Sequence, residues 1–291
     1  MRFGYYPGCS LHSTAVEYSE SFEAICPKLD IELVEVPKWI CCGSTPAHSV
    51  SHKLSVALPA KIMLNASDNG LKSVLVPCAS CFQRLKTAQY ELCNNESLKN
   101  EMQELFERKI EYNIDIIHPL ALFKSEEIET RLKELKKKSL RGLKIACYYG
   151  CLLTRPPKIM NFDECENPVF MDNLLKLLDA ETVRWNYKTI CCGASLSLTR
   201  TDLVLKLLDD ILSDAKASGA NCISVACPLC HSNLDTRQAE VEEKYNRKYN
   251  LPVFYFSQLV GLSLGISPQE LGLNRHLVDT YPLLSEANLL D

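Results

Sequence analysis

Ten of the fifteen cysteines in this 291-residue chain fall into one pattern, written twice. The first copy is Cys9, then Cys41-Cys42-Gly43, then Cys78-Ala79-Ser80-Cys81; the second is Cys151, then Cys191-Cys192-Gly193, then Cys227-Pro228-Leu229-Cys230. The intervals nearly repeat: 31 and 39 residues lead to the Cys-Cys pair, and 34 and 33 lead from the glycine to the CxxC. Thiolates are soft, metal-seeking ligands. Five of them at matched spacing, used twice, point to two metal sites on two related halves.

The ligand number argues about the metal. Structural zinc takes four ligands, commonly as two CxxC-type pairs. Each copy here has one CxxC, a vicinal pair and a lone cysteine, and neighbouring side chains diverge too far to serve one tetrahedral ion well. Five thiolates are one too many for zinc or a simple cubane. A larger cluster with inequivalent irons, one thiolate bridging two of them, uses all five, so iron–sulfur binding is expected ahead of zinc. Burial as small apolar side chains does not account for duplicated spacing. A thioredoxin-like dithiol at Cys78 and Cys81 has no need of Cys9, Cys41 and Cys42. Cys227-Pro228-Leu229-Cys230-His231 spells the c-type haem signature, but the first copy has Phe82 at the last position. His231 is therefore expected to be an ordinary residue opening a helix.

Other residues near the motifs have chemical potential. His48 and His52 follow the first Cys-Cys-Gly; Ser195, Ser197 and Arg200 follow the second. His48 and Arg200 are candidates for giving a proton or holding an anionic substrate group, against the plainer roles of capping and solvation. Gly43 and Gly193, with Gly8 and Gly150, are expected where the backbone turns tightly at positive φ. Of the unpatterned cysteines, Cys26, Cys93, Cys147 and Cys222 are expected in the core, and Cys165 in a surface loop.

These residues need a frame. The repeat extends beyond cysteine: Tyr5-Tyr6-Pro7-Gly8-Cys9 matches Tyr148-Tyr149-Gly150-Cys151, residues 73–78 match 223–227, and 115–118 match 253–257. Strand-like segments at 2–6, 31–36, 73–76 and 114–117 alternate with helical patterns at 14–28, 50–69 and 82–111. The second half repeats the order, with strands at 144–149, 181–185, 222–226 and 252–256 and helices at 171–179, 201–218 and 229–249. This predicts an α/β fold of two Rossmann-like halves related by a pseudo-two-fold axis, each a short parallel sheet flanked by helices. The halves are expected as domains 1–140 and 141–291. Cys9, Cys78, Cys151 and Cys227 would then sit past the carboxyl ends of strands, where open α/β sheets bind ligands.

Composition narrows the class. With 46% hydrophobic residues, 23% charged residues and net charge −4, the chain is an ordinary globular one with no general attraction for nucleic acid or anionic lipid. The basic run at 133–141 suits a solvated helix face. No secretory signal and no span of ~20 apolar residues is visible. A cytoplasmic location is expected, where fifteen cysteines are better explained by metal or redox chemistry than by disulfides.

The duplicated C-x31/39-CCG-x34/33-CxxC motif resembles the cysteine-rich CCG domain, and two complete copies in a chain of this length resemble the B subunit of heterodisulfide reductase. The resemblance implies two noncubane [4Fe–4S] clusters, one on Cys9, Cys41, Cys42, Cys78 and Cys81 and one on Cys151, Cys191, Cys192, Cys227 and Cys230. In that family they face each other across a small-molecule disulfide, such as that of coenzymes M and B, and reduction releases two thiols. Two clusters suit the chemistry, since a disulfide has two sulfurs and takes two electrons. Electrons there arrive through a ferredoxin-like [4Fe–4S] subunit fed by a flavin subunit. This chain carries no flavin or nicotinamide fingerprint of its own, so such partners are expected. CCG domains also occur in oxidoreductases acting on succinate, glycolate or lactate, which leaves open an electron-relay subunit of a larger flavin-based complex.

Overall fold

The computed structural model describes residues 1–44, 47–109 and 112–290. It contains two four-stranded parallel sheets built alike. The first holds β1 (Arg2–Tyr5), β2 (Glu32–Glu35), β3 (Ser73–Leu75) and β4 (Asp115–Ile117) in the order β2-β1-β3-β4. The second holds β5 (Lys144–Tyr148), β6 (Glu181–Thr182), β7 (Cys222–Val225) and β8 (Val253–Tyr255) in the order β6-β5-β7-β8. Every pairing is parallel, so each connection must cross over through helix.

Those crossovers are α1 (Val16–Ile25), α2 (His52–Asp68), α3 (Ala79–Asn94) and α4 (Glu96–Leu105) in the first half. Helix α5 (Glu126–Leu135) leads into the second half, which holds α6 (Phe170–Leu177), α7 (Thr201–Ala217), α8 (Pro228–Thr236), α9 (Gln238–Tyr245) and α10 (Phe256–Ser263). The expected helices appear, but several are divided. The stretch 82–111 is two helices because Asn95 leaves helical geometry and its side chain accepts the Leu98 N–H at 3.1 Å, capping α4; residues 110 and 111 lie outside the described ones. The stretch 50–69 begins at His52, behind a Ser51 cap, and carries Pro59 in its interior. The strand expected at 181–185 is only Glu181–Thr182.

The order places the reversal of winding between β1 and β3, and between β5 and β7. At such a point the two neighbouring crossovers leave to opposite faces and open a crevice at the strands' carboxyl ends. One continuous core joins the halves. Tyr18 of α1 stacks on Tyr255 at 4.2 Å, Phe123 meets Phe256 edge-on at 5.8 Å, and the Ser21 and Ser257 hydroxyls are 2.7 Å apart. Among the described residues no helix is long and apolar enough to cross a membrane.

Candidate functional site

Both cysteine sets stand at these crevices. Cys9 lies in the helical turn after β1, and Cys78 is the residue that starts α3 after β3. In the second half Cys151 follows β5 and Cys227 starts α8 after β7. The N-termini of α3 and α8 thus face their CxxC motifs, and a helix N-terminus favours negative charge such as thiolate. The Cys-Cys pairs sit on the loops after β2 and β6. In each pair the first cysteine is exposed and the second buried, so Cys41 and Cys191 reach outward while Cys42 and Cys192 reach inward.

The backbone around the sulfurs is duplicated in detail. Gly8 and Gly150 have φ of 64° and 70°, and Gly43 and Gly193 have 73° and 76°, as the sequence predicts. A Cβ on Gly8 would meet the Cys81 sulfur at 3.3 Å, and one on Gly150 would meet Cys230 at 3.0 Å. Only glycine lets the chain pass so close to those thiols. The Gly43 N–H donates to the Cys41 sulfur at 3.4 Å and Gly193 N–H to Cys191 at 3.3 Å. The structure also corrects the sequence pairing of the tyrosines. Tyr6, not Tyr5, is the counterpart of Tyr148. The Tyr6 hydroxyl donates to the Ile40 carbonyl at 2.9 Å, and the Tyr148 hydroxyl to the Ile190 carbonyl at 2.5 Å. Each buried tyrosine pins the loop immediately before a Cys-Cys pair.

The thiols form chains of contact. Cys42 and Cys81 sulfurs lie 3.2 Å apart and Cys192 and Cys230 sulfurs 3.7 Å apart. Neighbouring thiols set each other's ionisation. Hydrogen bonds from Cys41 and Cys81 pull Cys42 down to about 4, and Cys151 pulls Cys191 down to about 6. Their partners Cys41, Cys81 and Cys151 are pushed up by the same contacts and by burial. Crowded thiols cannot all ionise alone, because like charges and desolvation oppose it. A cationic metal core removes that obstacle and ionises its ligands outright. Among the described residues no three His, Cys, Asp or Glu side chains are gathered as ligands of a single ion.

The two sets meet between the halves. The Cys230 thiol and, across the seam, the Cys78 thiol draw Cys227 well below the usual thiol range, while Cys227 pushes Cys78 up. Just behind them His118, fully buried, has Nε2 2.9 Å from both the Pro77 and the Ala226 carbonyls. Those residues directly precede Cys78 and Cys227. Nδ1 accepts the Leu120 N–H at 3.2 Å, so Nε2 carries the hydrogen.

A cavity of about 290 Å³ opens here, near the lower end for small-molecule sites. All five cysteines of the second set line it, facing Ser44, His48, Ser80 and Arg84 of the first half. His48 lines this cavity. Arg200 does not: it is exposed and gripped by Asp202 two residues on, with both bonds at 3.0 Å. His52 pairs with Glu91 at 2.7 Å on the surface. Ser195 lines the cavity, and Ser197 donates to Asn233 at 2.8 Å. His231 is buried, stacked on Tyr255 at 4.2 Å, rather than a plain helix opener.

Arg84 was not singled out from sequence, although counting from the CxxC motifs sets it opposite Asn233. Of the remaining cysteines, Cys26, Cys147 and Cys222 are buried as expected, and Cys165 is half-buried in its loop. Cys93 is exposed, not core, because at the end of α3 it is Leu92 that faces inward.

A buried ion pair supports the second set. Lys188 Nζ lies 3.0 Å from Asp172, which also accepts the Tyr149 hydroxyl at 2.7 Å. The Lys188 carbonyl accepts the Tyr149 and Gly150 N–H groups at 2.8 and 3.1 Å, tying the loop before Cys191 to the turn before Cys151.

Comparison with known proteins agrees with the duplication. A cysteine-rich (CCG) domain model matches residues 3–86 and again 145–235. The chain is 33% identical over 97% of its length to the 8-methylmenaquinol:fumarate reductase membrane anchor subunit of Wolinella succinogenes, covering 98% of that protein. It is 30% identical, over 96% of its length and 94% of the relative, to the B subunit of the ferredoxin/F420H2-dependent CoB-CoM heterodisulfide reductase of Methanosarcina acetivorans. A crystal structure of a hypothetical protein from Helicobacter pylori superposes with a TM-score of 0.72 at 12% identity, over 96% of this chain. The chain spans about half of that protein (52%), and the likeness is one of fold.

Proposed function

The chain belongs to the CCG cysteine-rich domain family, with the B subunit of heterodisulfide reductase among its relatives, and from that premise we propose that it is the iron–sulfur subunit at which a small disulfide is reduced. The observation that carries the reading is the doubled five-cysteine set, one at each winding reversal, with a cavity where the second set faces residues of the first half. In this reading Cys9, Cys41, Cys42, Cys78 and Cys81 hold one noncubane [4Fe–4S] cluster and Cys151, Cys191, Cys192, Cys227 and Cys230 hold the other. Bound clusters supply one-electron transfer and iron sites with affinity for sulfur.

The protein's own residues do the rest. The reaction is R–S–S–R′ + 2e⁻ + 2H⁺ → RSH + R′SH, in which the S–S bond breaks and each sulfur gains an electron and a proton. The cavity admits the disulfide beside the second cysteine set. Tyr6, Tyr148 and the four glycines hold the cysteine loops in place, so that little reorganises during turnover. His48, on the wall, is placed to pass a proton to a leaving thiolate. The electrons come from partners, a ferredoxin-like [4Fe–4S] subunit and a flavin subunit, in the cytoplasm. Purified, cluster-loaded protein with an artificial electron donor should consume a disulfide and release two thiols. Intact clusters without turnover would remove this reading.

The Wolinella relative favours a second reading, an electron-relay subunit of a larger flavin-based complex with another terminal acceptor. In that case reduced protein would be reoxidised by its complex partner and not by disulfides.

A further inference from the structure

We propose that a cavity between α6 and β6 is a second ligand site, one that takes the phosphate group of a phosphomonoester. It lies past the carboxyl end of β6, at the outer edge of the second sheet, and none of the ten patterned cysteines lines it. Its volume is about 530 Å³, within the range of small-molecule sites. The charges around it do not cancel. Glu166 is held by Arg155 at 2.6 Å and Asp172 by Lys188 at 3.0 Å. Lys176 and Arg184 also line the cavity, and among the described residues neither pairs with a carboxylate. Two positive charges are thus unmatched there, on a chain whose net charge is −4.

A buried side chain supplies a third cation. Lys188 lines the cavity although it is buried. Its Nζ donates to the Pro168 carbonyl at 2.8 Å and to Asp172 at 3.0 Å, which leaves one of its three hydrogens without an acceptor among the described residues. The first N–H groups of α6 are already taken: those of Val169 and Phe170 by Asp163, those of Met171 and Asp172 by the Tyr149 hydroxyl. Recognition therefore falls to side chains. A phosphomonoester carries close to two negative charges at neutral pH and three acceptor oxygens. Those match the two unmatched cations and the spare Lys188 hydrogen, and the Arg184 guanidinium can grip two oxygens at once. A single carboxylate leaves one of the two charges unanswered. A ligand held by Lys188 also bears on the second cysteine set, because the Lys188 carbonyl accepts the Tyr149 and Gly150 N–H groups just before Cys151.

Binding at this cavity does not depend on the disulfide reading, so it is measured directly and not through turnover. Calorimetry on the cluster-loaded full chain, at constant ionic strength because exposed cations are screened by salt, compares glycerol 3-phosphate with glycerol. The phosphate ester should bind more tightly by about tenfold or more, and Lys176→Gln/Arg184→Gln should abolish that advantage. Both residues are exposed, so replacing them leaves the fold intact; Lys188 is kept because Asp172 depends on it. Vesicles of phosphatidylcholine with and without phosphatidic acid separate a soluble ligand from a lipid headgroup. Capture by phosphatidic acid vesicles alone, lost in the double variant, assigns the phosphate to a headgroup. Glycerol 3-phosphate binding no better than glycerol, with no such capture, overturns the proposal. So does binding that the double variant retains within about twofold.

Discussion

Replacing His118 with phenylalanine should loosen the seam between the halves. In the native protein one N–H is shared by the Pro77 and Ala226 carbonyls, each 2.9 Å away. The ring sits in an apolar shell of Phe82, Phe162 and Phe256, with centroids 5.7 to 6.5 Å distant, so an aromatic replacement keeps most of the packing. What it removes is the donor. Leaving a buried carbonyl unpaired costs about 1–3 kcal/mol. Because a single hydrogen serves both acceptors, the low end applies to each, giving about 2–4 kcal/mol for the pair. The Leu120 N–H also loses its acceptor, which places the sum in the upper part of that range. His118→Gln, whose amide offers two hydrogens, should recover at least half. Denaturant unfolding at constant m-value reads the difference directly. A His118→Phe protein within about 0.5 kcal/mol of the parent would show that the shared hydrogen bond does not brace the halves.

Three further outcomes are expected. Burial pulls both His118 and His276 from 6.5 to about 4; the unfolded chain therefore binds more protons between those values, and stability, full above pH 6.5, should fall as pH drops toward 4, by up to about 1.4 kcal/mol per pH unit for each group. A denaturation midpoint that does not move between pH 7.5 and 5 would contradict this. Lys188→Met strands the buried Asp172 carboxylate and should cost about 3–5 kcal/mol, with Asp172→Asn in the same chain restoring part; a loss under about 1 kcal/mol would mean that Asp172 finds another partner. Gly150→Ala puts a methyl 3.0 Å from the Cys230 sulfur at φ 70°, so iron analysis should show the second set emptied and the first retained, while equal loss from both sets would contradict independent loading.

The cysteine sets were legible because ligand spacing is recorded directly in the chain, and the strand–helix alternation because parallel sheets write apolar runs between helical ones. Gly8, Gly43, Gly150 and Gly193 were legible for the same local reason, since a tight turn leaves few residue choices. His118 was not. Its role depends on the carbonyls of Pro77 and Ala226, far apart in the chain, which only the docking of the halves brings together. Arg200 misled because proximity to a Cys-Cys-Gly in sequence says nothing about Asp202 claiming it first. Arg84 lay within reach of a stricter comparison of the two copies, one that counts from each CxxC and finds an arginine where the second copy has a structural asparagine.

The arrangement of the cysteines along the chain also bears on the order of assembly. The first set spans residues 9 to 81 and the second 151 to 230, so neither borrows a thiol from the other half. During synthesis the first set is complete before the second sheet exists. The Cys78–Cys227 contact and the His118 bond to the Ala226 carbonyl, by contrast, form only when both halves have been made. Each half can thus mature locally, and the closing of the seam is left as the last event, the step that sets Ser80 and Arg84 of the first half against the second cysteine set.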